Sequence, residues 1–307
     1  MKKMIKIFVA LLVSASLHAS GDLHLFEVDN ANGAITPESI EKALHNNGFL
    51  TGIRSEMTTP FKKQFGQSDF KVFTLLTVIL PKQDNNLVQQ FPHAGVFIPM
   101  GVGIYQANNE KTLHVSILTS DAEAKIIGIA NNSMLKERET LAIKSLKEAM
   151  PKAKQSISED SLKENRNLVT LYEIKLDGTN WKDAKGQLEM GLESGFVPRG
   201  FVMAATMDYD ADVFQDSDKV NPFDFYESYS ICKLPVIYTV AKSRPEAAAF
   251  APCTTMIYKK KDENKIVIGF PSVYNWLSSA KVEDSEAKAS LQKAQNDFEA
   301  ILKEVTE

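Results

Sequence analysis

Residues 92–105, PHAGVFIPMGVGIY, and residues 245–258, PEAAAFAPCTTMIY, share one outline at a constant spacing of 153 residues. The matched residues are Pro92, Phe97, Pro99, Ile104 and Tyr105 in the first stretch and Pro245, Phe250, Pro252, Ile257 and Tyr258 in the second. Two shorter matches lie upstream, Gly48-Phe49 with Gly195-Phe196 and residues 25–28 with 171–174. A repeat of this length is a whole small domain rather than one turn of a solenoid. The sequence therefore predicts a tandem duplication.

Both copies begin with the same order of predicted elements. In copy one, residues 23–29 alternate like a strand, Thr36-Pro37 marks a helix start, and Asn47-Gly48 marks its stop. In copy two, a strand over 168–176 precedes a helix that stops at Gly195-Phe196. The acidic stretch 208–218 is interpreted as a loop insertion in copy two.

Strand pairs, short helices and hairpins follow in each copy. Leu-Pro steps at 80–81 and 234–235 predict the next helices, because proline suits the first helical turn. Polar turns at 107–111 and 261–264 predict hairpins. The strand pairs are 50–57 with 70–80 and 197–207 with 223–234, the short helices are 82–90 and 236–243, and the closing helices are 134–149 and 285–305. These elements predict an α+β fold, in which two tandem copies of a small two-layer α/β sandwich domain pack as a pseudo-dimer.

The first twenty residues have the features of a secretory signal peptide in their usual order. Lys2, Lys3 and Lys6 precede the short apolar run IFVALLVSASL, and small residues suit cleavage after Ala19. An uncleaved anchor and a buried first helix are the alternatives. The sequence thus predicts export to the periplasm. The predicted boundaries are 1–20 for the signal peptide, 21–150 for the first repeat domain, 151–167 for a polar linker and 168–307 for the second repeat domain.

Charge and hydropathy exclude two classes of partner. Loss of the three signal-peptide lysines changes the formal net charge from −4 to −7. A mildly acidic chain lacks the basic surface that binds phosphate backbones, which argues against nucleic acid. No stretch after the signal peptide is long and apolar enough for a membrane span. The expected partner is a small molecule or a protein.

The stretch 230–277 resembles the core of the domain of unknown function 302 family. It shows a strand, a short helix led by Pro235, and the step Ala251-Pro252-Cys253 into a hairpin, where members of the family usually have Leu-Pro-Cys. Copy one matches more weakly and has Ile98-Pro99-Met100 at this step. The resemblance implies a small α+β domain whose members are often exported, and it brings no catalytic residues. The residues themselves indicate no cofactor.

Cys232 and Cys253 are the only cysteines of the chain. Three interpretations stay open: a disulfide, two inert thiols, or a reactive or ligand-binding thiol. If the two cysteine strands are parallel neighbours, the cysteines lie about five residues apart along the strand axis. At about 3.3 Å per residue this distance is beyond disulfide reach.

Other polar residues do not form a recognisable metal or catalytic motif. The histidines after the signal peptide, His24, His45, His93 and His114, lack a spacing that places two on one face. The acidic stretch begins like a calcium loop, but Val213 replaces its glycine and Lys219 its bidentate glutamate. We expect no metal site and no catalytic set.

Two functional hypotheses follow. The first is a non-catalytic module that binds a ligand or a protein at the junction of its two copies, in a cleft formed by Pro99, Met100 and Pro252. The second is a periplasmic thiol redox or sulfur-handling protein that uses Cys253. The first is preferred, because copy one carries Met100 in place of the thiol. A functional site is expected where the two copies differ.

Overall fold

The computed structural model describes residues 21–163, 168–214 and 220–307. The signal-peptide prediction at residues 1–20 lies outside the described residues. So do four residues of the predicted linker, 164–167, and the part of the acidic stretch that contains Asp216, Asp218 and Lys219.

The first half of the described chain, residues 21–163, forms one antiparallel sheet with helices. Its elements are β1 (Leu23–Asp29), α1 (Pro37–Asn46), β2 (Leu50–Glu56), α2 (Thr58–Phe65), β3 (Phe70–Ile79), α3 (Pro81–Gln90), β4 (Met100–Ala107), β5 (Thr112–Leu118), α4 (Ser120–Ile127), α5 (Ser133–Ala149) and β6 (Lys154–Ile157). The strand order is β2-β3-β4-β5-β1-β6. β6 lies inside the segment predicted as a linker and pairs with β1, so residues 154–157 extend the first sheet.

The second half, residues 168–307, forms a second antiparallel sheet. Its elements are β7 (Val169–Lys175), α6 (Trp181–Phe196), β8 (Val202–Asp208), α7 (Tyr209–Asp212), β9 (Phe223–Cys232), α8 (Leu234–Ser243), β10 (Cys253–Lys260), β11 (Lys265–Pro271), α9 (Tyr274–Ser279) and α10 (Ser285–Thr306). The strand order is β7-β11-β10-β9-β8. Read from its other edge and without β6, the first sheet has the order β1-β5-β4-β3-β2, so each strand of the second sheet has an equivalent in the first. Helices and antiparallel sheets together confirm the predicted α+β class.

The sheet of the first half has two buried faces, because its strands alternate between two sets of apolar side chains. Leu76, Val102 and Val115 belong to a core cluster with residues of α1 and α5. Phe73 and Tyr105 point into a second cluster that contains the core of the second half. A strand that is apolar on both faces is expected to be covered on both sides. The sheet therefore lies between its own helices and the other half.

The two halves meet through two short 3-10 helices that the sequence did not predict. Pro92–Phe97 packs on β10 and β11, and Pro245–Phe250 packs on β4 and β5. A Cβ at Gly103 would lie 2.5 Å from the Cβ of Ala248, so glycine allows this close approach. Each 3-10 helix is followed by a cis proline, at Ile98-Pro99 and Ala251-Pro252. The contact between the halves is thus reciprocal.

The first helix of copy two ends at Phe196, in agreement with the predicted stop, but Gly195 does not close it in a left-handed conformation. α6 continues through Gly195 to Phe196, and a 3-10 turn then leads to Gly200, whose φ is 74°. Gly48 has a φ of 90° at the end of α1, so Gly200-Phe201 is the structural counterpart of Gly48-Phe49. Most of the extra residues of the second half therefore lie in α6 and its extension, because the spacing between equivalent strands rises from 146 residues (169 − 23, β1 and β7) to 152 residues (202 − 50, β2 and β8) before the acidic stretch and reaches 153 (223 − 70) after it.

No helix among the described residues combines the length and the apolar character that crossing a bilayer requires.

Candidate functional site

The candidate site is an apolar cavity in the second half, beneath α10 and at one end of β9, β10 and β11. Its volume is about 50 Å³. Its apolar lining residues are Phe201, Ile231, Val236, Ile237, Ala251, Pro252, Phe270, Pro271, Val273, Trp276, Leu291, Ala294 and Phe298. Cys232, Lys233, Cys253 and Gln295 complete the wall. At about 10–15 Å³ for each water-sized group, the cavity has room for about four such groups.

α10 leaves this space because a small residue stands between two large ones on its inner face. Leu291, Ala294 and Phe298 follow the spacing of one helical face and all line the cavity. The ring of Phe298 packs against Phe270, with 4.3 Å between the ring centroids. At the spacing of 153 residues, Leu141 is the counterpart of Ala294 in the first half.

The two cysteines lie at this cavity and are not bonded to each other. Their strands are antiparallel neighbours, and Cys253 lies opposite Ile231, the residue before Cys232. The parallel arrangement that placed the cysteines five residues apart is therefore wrong. Burial raises the pKa of Cys232 to about 11 and that of Cys253 to about 12. Both thiols are consequently protonated at neutral pH.

Two of the polar groups in the wall already have partners. The ammonium of Lys233 lies 2.8 Å from Asp297 and 4.9 Å from the ring centroid of Phe201. The side-chain carbonyl of Gln295 accepts the backbone N–H of Val273 at 3.0 Å, and its amide donates to Thr170 at 3.0 Å. The indole N–H of Trp276 has no hydrogen-bond partner within the described residues.

The first half has buried charges where the second half has the cavity. Arg138 Nε lies 2.6 Å from Asp84, and another guanidinium nitrogen of Arg138 lies 2.8 Å from Glu123. Asp84, Glu123 and Arg138 are at most 2% exposed. At the spacing of 153 residues their counterparts are Ile237, Trp276 and Leu291, which all line the cavity. The two halves therefore differ most at one equivalent place.

Electrostatics in this buried cluster are unbalanced, because two carboxyl groups share one guanidinium. Burial raises the pKa of Glu123 to about 7, although Arg138 opposes the change, and the nearby Asp84 raises it further. Burial also raises the pKa of Asp84 against the attraction of Arg138. Phe97 covers the guanidinium at 5.7 Å from the ring centroid. The three side chains are one another's ionic partners, which indicates a structural role for the cluster.

The residues predicted to form a cleft between the copies are only partly brought together. Pro99 and Pro252 line a narrow space of about 20 Å³ at the junction, next to Phe97 and Phe250. Met100 is instead 2% exposed in the core of the first sheet, because it begins β4 on the face toward α1 and α5. Cys253 borders the cavity of the second half. The residues of the predicted cleft thus border two neighbouring spaces, which share Pro252, or lie in the core.

The remaining sequence candidates are dispersed. His24 lies 2.7 Å from Glu139, His114 lies 2.7 Å from Glu110, and His45 lies 2.7 Å from Thr51. Asp208 caps the short helix α7, whose Tyr209 donates to the carbonyl of Ile98 at 2.7 Å. Within the described ranges, histidine, cysteine and carboxylate side chains do not gather in threes that could hold a metal.

Sequence reasoning missed Trp276, Leu291 and Ile237 as site residues. The signal that could have found them is the repeat itself. At a spacing of 153 residues they are the counterparts of Glu123, Arg138 and Asp84. A change from charged to apolar side chains at three such positions indicates an equivalent buried location that the two halves fill in different ways.

One family model matches part of the second half. Residues 184–305 match the model of a family described as "Domain of unknown function DUF302". The crystal structure of an uncharacterized conserved protein DUF302 from Bacillus stearothermophilus is 20% identical, over 41% of this chain and 97% of that one, with a TM-score of 0.36. No curated protein matches the chain.

Proposed function

We propose that this protein is an exported, non-catalytic binding module, built from two copies of one α+β domain, that takes up a small apolar molecule in its second half. The observation that carries the proposal is the cavity beneath α10, with its apolar wall. Apolar cavities of this kind stay dry and accept apolar guests, because removal of apolar surface from water is favourable.

The difference between the halves supports different roles for them. The space under α5 holds Arg138 with its two carboxyl partners, whereas the corresponding space under α10 is lined by Leu291, Trp276 and Ile237. Buried ion clusters resist rearrangement, because breaking one leaves an unpaired charge. The first half would then act as a rigid partner and the second half as the binding unit.

Several observations support descent from a duplicated domain. The strand orders of the two sheets agree, and two 3-10 helices pack reciprocally across the junction. Residues 184–305 match the family described as a domain of unknown function, in the half that carries the cavity. We propose that the copies act as an internal pseudo-dimer, which covers surfaces that a single domain would expose.

Export to the periplasm belongs to the same proposal and rests on the charge and hydropathy pattern of residues 1–20. A binding module in the periplasm would be exposed to small apolar molecules that have crossed the outer membrane.

Thiol chemistry is the less favoured alternative. A reactive cysteine requires a thiolate, and thiolates form where nearby positive charge lowers the pKa. Here burial raises the pKa of Cys232 to about 11 and that of Cys253 to about 12. The ammonium of Lys233 is held by Asp297 and not by a thiol. Two protonated thiols suit the wall of an apolar cavity.

Ligand binding can be tested with cyclopentane, a small apolar probe. Binding to the native state raises the melting temperature in proportion to the free-energy gain, RT ln(1 + [L]/Kd). We expect saturating cyclopentane to stabilise the protein, and we expect Ala294→Leu to abolish this effect. Leucine is the residue that the first half has at this place, and its side chain would fill the cavity.

A matched control lies on the same helix. Ala289 is exposed on α10 and does not line the cavity, so Ala289→Leu should leave the effect of cyclopentane unchanged. If the Ala294→Leu variant binds cyclopentane as well as the wild-type protein does, the ligand site lies outside this cavity. The absence of any stabilisation of the wild-type protein would contradict the proposed function.

A further inference from the structure

β7 forms an open edge of the second sheet, whereas its counterpart in the first sheet is covered. β1 pairs with β5 on one side and with β6 on the other. Within the described residues, β7 pairs with β11 alone. An open edge presents unpaired backbone N–H and C=O groups and can be extended by another strand. The second sheet thus lacks a strand at the place that β6 occupies in the first sheet.

The other sheet edges are less suited to receive a strand. β2 and β8 contact each other across the junction of the two halves. β6 is four residues long and offers few backbone groups, whereas β7 is seven residues long. β7 is therefore the edge at which strand addition is most favourable.

The residues of β7 are more exposed than their counterparts in β1, which lie 146 residues earlier in the chain. Phe26 and Val28 of β1 are 1% and 6% exposed, whereas the equivalent Tyr172 and Ile174 are only half-buried. Leu171 is 41% exposed. Removal of apolar surface from water is favourable, so a strand beside β7 would gain free energy by covering part of these side chains.

β7 retains part of the sequence with which β1 meets its outer partner. Residues 24–27 of β1 pair with β6, and their counterparts are residues 170–173. Glu27 lies opposite Lys154 of β6, and Glu173 is the same residue type at the equivalent position. Opposite charges across a strand pair are favourable and like charges are unfavourable. A strand added to β7 should therefore place a basic residue opposite Glu173.

Glu173 has the capacity for a second basic partner. Lys265 contacts one of its carboxylate oxygens at 2.6 Å, and the side chain of Glu173 is 48% exposed. An ionised carboxylate accepts hydrogen bonds at both of its oxygens. A basic side chain on an added strand can thus reach Glu173 without displacing Lys265.

The alternation of the ladder determines which backbone groups of β7 point outward. The carbonyl of Leu168 accepts the backbone N–H of Ser272, directly after β11, at 2.9 Å. Leu168 therefore faces β11, and successive residues of a strand direct their backbone groups to opposite sides. The residues with outward N–H and C=O groups are consequently Val169, Leu171 and Glu173.

We propose that the open edge of β7 binds an extended segment of another protein, which adds antiparallel to β7 as β6 does to β1 and places a basic residue opposite Glu173. β6 of a second copy is already paired with its own β1, so the segment comes from a different protein. The proposal is independent of the apolar cavity, because the lining of that cavity does not include β7.

A synthetic peptide with the sequence of residues 152–158, KAKQSIS, is the probe, because it contains the sequence of β6. Nuclear magnetic resonance of the nitrogen-15-labelled protein follows each backbone N–H group during a titration with this peptide. We expect the largest shifts at the outward N–H groups of Val169, Leu171 and Glu173, because these groups would form the new hydrogen bonds.

Two N-methylated forms of the peptide are a matched pair. The backbone N–H of Ser158 donates to the carbonyl of Leu23 at 2.9 Å, so alternation directs the N–H of Ser156 toward the partner strand and that of Gln155 away from it. Methylation at the position of Ser156 should weaken binding by about 10-fold, because it removes a hydrogen bond. Methylation at the position of Gln155 should leave the affinity unchanged. Equal losses from both would contradict strand addition.

A peptide with glutamate in place of Lys154 tests the preference for a basic residue. It should bind about 3-fold more weakly than the original peptide, because two carboxylates would then face each other. Glu173→Lys should reverse this preference. Glu193→Lys is the matched control, since Glu193 is exposed on α6, and it should leave the preference unchanged.

Three other results would overturn the proposal. Shifts at Leu25 and Glu27 in place of β7 would show that the peptide replaces β6. Shifts of the β7 signals on dilution of the protein alone would show that a second copy occupies the edge. The absence of shifts along β7 at the highest peptide concentration would show that the edge does not accept a strand. The peptide series on the wild-type protein decides the question even if Glu173→Lys does not fold.

Discussion

Arg138, Asp84 and Glu123 place two negative groups and one positive group in a space without water. Their contacts are short, at 2.6 and 2.8 Å, and the guanidinium is 1% exposed. One carboxyl group is in excess, so one of them is driven to hold a proton. The raised pKa of Glu123, about 7, identifies it as the group that titrates in the neutral range.

Glu123→Gln tests this assignment through the pH dependence of stability. Since the folded-state pKa of Glu123 lies above its ordinary value of 4.5, the folded protein holds a proton that the unfolded chain has released. The contribution of Glu123 to the free energy of unfolding therefore falls as the pH rises from about 4.5 to about 7. We expect the variant to gain on the wild type by up to about 3 kcal/mol at pH 8, at about 1.4 kcal/mol for each pKa unit.

Urea unfolding of both proteins between pH 4.5 and pH 8 measures this difference. The gain should shrink to below about 1 kcal/mol at pH 4.5, where the folded protein holds the proton and the unfolded chain holds it in about half of its molecules. A difference that does not change with pH would show that Glu123 is ionised throughout this range.

Arg138→Leu removes the positive group that pairs with both carboxyl groups. The loss should lower the free energy of unfolding by about 3–5 kcal/mol at pH 8, because the remaining carboxylates are buried without a partner. Lys136→Leu is the matched control, since Lys136 is exposed on the same helix, and it should change stability by less than about 0.5 kcal/mol. Equal effects of the two substitutions on stability would show that the charged cluster has no special structural role.

Residue-level features were only partly predictable from the sequence. Cys232 and Cys253 were recognised as candidates because they are the only cysteines. The charged cluster was not, because Asp84, Glu123 and Arg138 come from three different helices and no local pattern connects them. Only the packing of α3, α4 and α5 against one another brings the three side chains together.

At the scale of elements, the contact between α6 and α10 explains a glycine that the sequence suggested as a helix stop. Gly195 is buried inside α6, and a Cβ at this position would lie 2.8 Å from Ile301 of α10. Gly186 is in the same helix, but a Cβ there would have no neighbour within 4 Å. A side chain would therefore clash at Gly195 but would have free space at Gly186.

Alanine at these two positions should change stability in opposite directions. Gly186→Ala is expected to raise the free energy of unfolding by up to about 1 kcal/mol, because alanine favours the helix. Gly195→Ala should lower it by about 1–3 kcal/mol, because the added methyl group overpacks the contact with Ile301. Thermal and urea unfolding measure both changes. A gain from both substitutions would contradict the close packing of α6 on α10.

Most elements were predictable because alternation, proline steps and polar turns are local signals. The hairpins β4–β5 and β10–β11 and the helices α3 and α8 lie where those signals placed them. The end of α6 at Phe196 agrees with the prediction, but the role given to Gly195 was wrong, since a glycine required by helix packing looks the same in sequence as a glycine at a helix end. The two 3-10 helices were missed because their conformation depends on the opposite half.

For the whole molecule, the reciprocal packing of the 3-10 helices predicts that the two halves stay together without a covalent link. Phe65 of the first half stacks on Tyr238 of the second, with 4.5 Å between the ring centroids, and Tyr209 donates to the carbonyl of Ile98. If a protease site is inserted after Lys163 and cut, both fragments should elute as one particle in size-exclusion chromatography. Separation into two folded monomers would contradict the proposed pseudo-dimer.

If only the second half binds an apolar ligand, xenon in a crystal should distinguish the two halves. Xenon enters small apolar cavities and avoids charged sites. We predict a xenon atom beneath α10, between Leu291 and Trp276, and none beside Arg138 in the first half. An empty cavity in the second half under xenon pressure, or xenon at the charged cluster, would show that the two halves do not have these different roles.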